Sequence, residues 1–134
     1  MSQPDATDAP IDIVNRFIRL INDRDLDAAV ALCAADVEYD NVPMGANLGR
    51  DATRDFLAPM LGGLDDVEFI VHREAATGKI VMNERTDRFI KNGQTADIAV
   101  VGVFELNDAG EIALWRDYFD MGAVQAVMQL LQSG

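Results

Sequence analysis

Asp117 stands in the stretch ALWRDYFDM (residues 113–121), where Ala113, Trp115, Asp117 and Phe119 share one face of an extended chain and Leu114, Arg116 and Tyr118 share the other. A carboxylate therefore points the same way as a Trp and a Phe. A second interruption lies in KIVMNERTDRFI, in which Val81, Asn83, Arg85, Asp87 and Phe89 fall on one face, so that Arg85 and Asp87 are neighbours among apolar side chains. If both faces turn inward, one guanidinium and two carboxyls converge in an apolar cavity. The fork of an arginine can bond both acids, and two close carboxyls with one positive charge tend to hold a proton between them. One acid then stays neutral while the other is ionised, which is what a general acid and a general base acting on the same substrate require. A buried salt bridge, or charges on a solvated sheet face, would produce the same pattern, although burying such a group without function is costly compared with hydrophobic packing.

Tyr39 and Asn41 in VEYDNVP form a second pair. Two residues apart on an extended segment, they share a face, and a phenol with a carboxamide can hold a water beside a carboxylate. The alternative is a Tyr packed at the core edge and an Asn serving the turn before Pro43; in either case Asp40 points outward. Other chemistries have less support. His72 is the single histidine and reads as an ordinary strand residue, and there is no Gly-x-Ser-x-Gly elbow. A histidine-based metal site is excluded by count, while an all-carboxylate one stays open. The glycines form neither a P-loop nor a dinucleotide fingerprint. Cofactor-free chemistry is the remaining enzyme option.

These residues need elements to position them. From Pro10, the spacing of Ile11, Val14, Phe17, Ile18 and Ile21 predicts an amphipathic helix ending near NDRD. Asp25 can cap a second helix, LDAAVALCAA, which would bury Cys33 as a small apolar residue. VEYDN reads as a short strand, and RDATRDFLAPMLGG as a third helix that Asp51 can cap. From residue 66 the pattern becomes alternation broken by turn signals, of which Asn92-Gly93 is the strongest, giving four antiparallel strands in a meander. In the third of these, Ala99, Val101 and Val103 are taken at the parity of the Arg85 face. MGAVQAVMQLLQ closes the chain as a short amphipathic helix. Helices first and a curved antiparallel sheet second make an α+β fold in which the sheet can wrap the helices and leave a pocket.

The 134 residues suit one domain over 1–134, with residues 1–8 a flexible tail. A formal net charge of -12 disfavours nucleic acid and anionic membrane surfaces as partners. The start lacks the basic and apolar regions of a signal peptide, no stretch is long enough for a membrane span, and Cys33 is the single cysteine, so a cytoplasmic protein is expected.

Taken together, Tyr39-x-Asn41 before a proline loop, Glu84-Arg85-Thr86-Asp87 in a mid-sheet strand, and Gly102-Val103-Phe104 followed by Trp115-Arg116-Asp117-Tyr118-Phe119-Asp120 carry a likeness. From about residue 11 to 126 the sequence resembles limonene-1,2-epoxide hydrolase and its relatives, within the ketosteroid-isomerase-like and polyketide-cyclase-like group. The resemblance implies a strongly curved mixed, mainly antiparallel sheet wrapped around the N-terminal helices, a cone with a deep apolar pocket. It also implies a homodimer, no cofactor, and hydrolysis of a small apolar epoxide by direct attack of water. On matching positions, Asp117 would deprotonate the water, Tyr39 and Asn41 would hold it, Asp87 would protonate the epoxide oxygen and Arg85 would bridge the acids. From helix face and strand parity, Ile18, Ile21, Phe89, Val101 and Phe119 are expected to line the pocket. Two other functions remain for this fold: an isomerase or cyclase in which one Asp removes a proton beside a carbonyl, and a non-catalytic ligand-binding module.

Overall fold

Proline at the first helical position and an apolar stripe start α1 (Pro10–Asn22), which buries Ile13, Val14, Phe17, Ile18 and Ile21. The structure, a computed structural model, describes residues 8–133, so the expected tail lies almost wholly outside the described residues. Asp25 caps α2 (Leu26–Ala31), its side chain accepting from the Ala28 N–H at 3.2 Å. This helix is shorter than expected: Cys33 already begins β1 (Cys33–Asn41) and pairs with Ile112, so sheet pairing overrides the helical propensity of Ala34 and Ala35. Cys33 is nevertheless fully buried, and burial pushes its thiol up to about 12.

β2 (Gly45–Leu48) folds back on β1, and α3 (Arg50–Gly62) follows, with Gly49 and not Asp51 at its N-cap. Gly49 carries φ +90°, a conformation open to glycine, and places Asp51 inside the first turn, where its charge complements the helix dipole. The meander is formed by β3 (Asp66–Thr77), β4 (Ile80–Lys91), β5 (Gln94–Leu106) and β6 (Ile112–Tyr118), and α4 (Met121–Gln132) ends the described chain. The six strands lie in the order β2-β1-β6-β5-β4-β3, with every pair antiparallel except β1 and β6. That parallel pair makes the sheet mixed and sets the N-terminal strand beside the last one.

The turn at Asn92 and Gly93 has φ +54° and +74°, the pair of left-handed residues a two-residue hairpin needs. It pairs Lys91 with Gln94, so an odd-numbered residue of β4 always stands opposite an even-numbered residue of β5. The inward face of β5 is therefore Ala96, Ile98, Val100, Gly102, Phe104 and Leu106, and the parity expected for Ala99, Val101 and Val103 is reversed. Among the described residues no helix is long and apolar enough to cross a membrane.

Candidate active site

β4 turns Asn83, Arg85, Asp87 and Phe89 inward, as its alternation predicts, and register does the rest. Asn83 pairs with Gly102, Gly102 with Asp117, and Asp117 with Asn41, forming one row across four strands; Tyr39 pairs with Trp115 in the row beside it. Arg85, two residues along from Asn83, sends its guanidinium over bare Gly102 to reach Asp117. A Cβ on Gly102 would stand 2.3 Å from Arg85 Nη1, so only glycine leaves that path open.

Arg85 Nε donates to Asp87 Oδ1 and Nη2 to Asp87 Oδ2, both at 2.9 Å, and Nη2 donates again to Asp117 Oδ2 at 3.0 Å. The second oxygen of Asp117 accepts from Trp115 Nε1 at 2.9 Å. Arg85, Asp87 and Asp117 are 1%, 5% and 4% exposed, so this is a buried unit and not a solvated sheet face. Arg85 Cζ lies 5.0 Å from the centre of the Phe69 ring, which supports the cation from β3. The indole that holds Asp117 is itself fixed: Tyr39 stacks on Trp115 with ring centres 3.9 Å apart, and Phe17 packs edge-on at 5.0 Å.

Burial and the neighbouring charges perturb this cluster. Burial, opposed by the charge and hydrogen bonds of Arg85 and reinforced by the charge of Asp117, holds the Asp87 carboxyl up at about 6. Burial opposes the charge of Arg85 itself, yet the two acids beside it raise its pKa and keep it a cation. The Tyr39 phenol is driven upward by burial first and by the charge of Asp117 second, so it stays neutral. Asn41 Nδ2 is buried and has no partner among the described residues, leaving a donor for a molecule in the cavity.

Tyr39, Asn41, Asp87 and Asp117 all line one cavity of about 250 Å³, whose walls are otherwise apolar and include Phe56, Phe69, Ile98, Val100, Val127 and Leu131. Arg85 sits behind this surface and bonds the two acids from the rear. Phe89 and Phe119 line the cavity as expected, but three other residues do not. Ile18 and Ile21 are buried in the core, because α1 is the wedge packed on β3, where Asn22 bonds the backbone of Phe69; the helical wall comes from α3 and α4 instead. Val101 points to the outer sheet face and is 44% exposed, the consequence of the hairpin parity, and Val100 takes the place given to it. Alternation through β6 would have identified Trp115 as the donor behind Asp117, but not the contributions of α4. Outside the sheet, Arg116 Nε and Nη2 bond Asp40 at 3.0 Å and Glu38 at 2.9 Å, so Asp40 does face outward. Among the described residues no group of three or more His, Cys, Asp or Glu side chains gathers as a metal site.

The model of the limonene-1,2-epoxide hydrolase catalytic domain matches residues 8–130. Epoxide hydrolase EphG of Mycobacterium tuberculosis is 37% identical over 108 residues, 81% of this chain and 71% of that protein. The structure of a limonene-epoxide-hydrolase-like epoxide hydrolase from M. tuberculosis superposes with a TM-score of 0.77 at 34% identity, covering 91% of each chain. SalBIII, described as an epoxide hydrolase/cyclase-like enzyme of pyran ring formation in the polyether salinomycin, has a TM-score of 0.76 over 85% of this chain and 92% of its own, and at 23% identity shares the fold alone.

Proposed function

Because this chain belongs to the limonene-1,2-epoxide hydrolase family and is an epoxide hydrolase, we propose that it opens a small apolar, cyclic epoxide to a vicinal diol by direct attack of water, without a cofactor. One observation carries this reading: a single guanidinium bonds two carboxyls whose free sides face the same apolar cavity. Tyr39 and Asn41 hold a water beside Asp117. Asp117, whose oxygens both accept hydrogen bonds from behind, takes one proton from that water as its oxygen bonds to an epoxide carbon. The C–O bond breaks, and the electron pair left on oxygen receives the proton of Asp87. The raised Asp87 pKa keeps that proton available near pH 6, and the nonpolar walls exclude competing solvent. After release of the diol, Asp117 carries a proton and Asp87 does not, so one proton passes between them before the next cycle.

A single turnover with excess enzyme in ¹⁸O-labelled water checks the route of attack. Direct attack predicts labelled diol in the first turnover, whereas an aspartyl ester would deliver unlabelled oxygen from the protein and overturn the proposal.

The proposed assembly is a homodimer. Its support is the outer sheet face, where exposed Met82, Val101 and Tyr118 adjoin across β4, β5 and β6. Sedimentation at micromolar concentration is expected to give twice the chain mass, and Val101→Glu to give a monomer; a monomeric parent protein would refute this assembly.

A further inference from the structure

Asn83 is 2% exposed and does not line the cavity. Its Oδ1 accepts from Arg85 Nη1 at 2.9 Å, while its Nδ2 has no partner among the described residues. A buried amide with an orphaned donor is a poor way to stabilise a sheet, so its one contact matters. Nη1 is also the arginine nitrogen that bonds neither acid: Nε and Nη2 serve Asp87, and Nη2 alone reaches Asp117. The guanidinium is planar and rigid, so fixing Nη1 fixes the angle at which Nη2 presents its two hydrogens to different carboxyls. Asn83 and Gly102 are cross-strand partners, and together they form the seat of Nη1, with the carboxamide oxygen on one side and bare backbone on the other.

We infer that Asn83 is a positioning residue that sets the plane of the Arg85 guanidinium across Asp87 and Asp117, and that its neutral carboxamide leaves the charge of the cation to those two acids. The inference rests on the reading of Asp87 as acid and Asp117 as base. The charged and titratable groups facing Asp87 are Arg85 from its own strand, Asp117 from β6 and Tyr39 from β1; β3, β5 and α4 present Phe69, Ile98 and Val127 to the same cavity. A third carboxylate on Nη1 would compete for the cation and make Asp87 harder to ionise.

Two variants and two measurements test this. Asn83→Ala is expected to lower kcat by about tenfold to a hundredfold, because the acids lose their alignment, with KM changed by less than about threefold, because no cavity-lining group changes. Asn83→Asp keeps the acceptor but adds charge, so the Asp87 carboxyl, followed by ¹³C NMR, is expected to titrate roughly one pH unit higher, and the alkaline limb of kcat/KM to move with it. Turnover of Asn83→Ala within twofold of the parent, or an unmoved Asp87 titration in Asn83→Asp, overturns the inference. If Asn83→Ala does not fold, the titration of Asn83→Asp decides alone; if Asn83→Asp does not fold, the kcat and KM of Asn83→Ala decide. The NMR titration needs no turnover, so it separates a failure here from a failure of the acid and base assignments, which active Asp87→Asn or Asp117→Asn proteins would reveal.

Discussion

Asp87→Asn and Asp117→Asn are each expected to lower turnover by on the order of 10² to 10⁴, the range for losing one positioned proton transfer. The two losses have different origins. Asparagine at 117 cannot accept the water proton, and asparagine at 87 cannot give one to the departing oxygen. Both carboxyls use both oxygens as acceptors, Asp87 toward Arg85 alone and Asp117 toward Arg85 and Trp115. A carboxamide has one acceptor oxygen, so each variant turns an N–H₂ toward a donor and loses stability; assays belong well below Tm, with circular dichroism as the control. Full activity in either folded variant would refute its role. Asp87 also links folding to pH. Its carboxyl is held near 6 in the native protein against an ordinary value of 3.8, so between these values the folded chain keeps a proton that the unfolded chain releases. The contribution of this group to stability therefore falls as pH rises through that window, by up to about 1.4 kcal/mol per pH unit. Asp87→Asn is expected to lack that slope, and urea midpoints of both proteins at pH 4 and pH 7 measure it. Parallel pH dependence of the two proteins would contradict the raised value.

Gly102→Ala is expected to damage stability and catalysis together. The added methyl would lie 2.3 Å from Arg85 Nη1, 2.8 Å from Asn83 Oδ1 and 3.0 Å from Asp117 Oδ1, so it strikes three members of the buried network at once. Arg85 would have to leave its position, and overpacking together with a weakened buried ion pair costs about 2 to 5 kcal/mol. Calorimetry should show Tm lower by about 10 °C. Turnover at a temperature where the variant is folded should drop on the order of 10²-fold, since the acids lose the bridge that orients them. A variant with parental Tm and activity would mean that the guanidinium does not need this passage.

The sequence pattern carries the site further than the cavity. Alternation is a property of a single strand, so Arg85 and Asp87 could be placed together on β4, and Asp117 with Trp115 on β6, without knowing their neighbours. Relations between strands depend on turns. The two-residue turn at Asn92 and Gly93 decides which face of β5 is inward: it sets odd residues of β4 opposite even residues of β5, so Val101 lies outside and Val100 inside, a relation that the alternation of either strand alone does not contain. Ile18 and Ile21 show a different limit: a helix stripe reports that a face is buried, not whether a core or a cavity lies against it. Gly102 has no side chain to signal its purpose, and its value appears only when the arginine from the next strand crosses above it.

The parallel pairing of β1 with β6 joins residues 33–41 to residues 112–118. Tyr39 and Asn41 consequently meet Asp117 only after every other strand has been synthesised, because the strand that carries this acid comes last in the sheet. During translation, α1 and α2 emerge with β1 long before its eventual neighbour, and such a distant closure is slow compared with hairpin formation. A nascent chain halted before β6 leaves the ribosome tunnel would contain Arg85 and Asp87 on the β4 segment, yet it would lack both the indole and the carboxylate of the buried cluster.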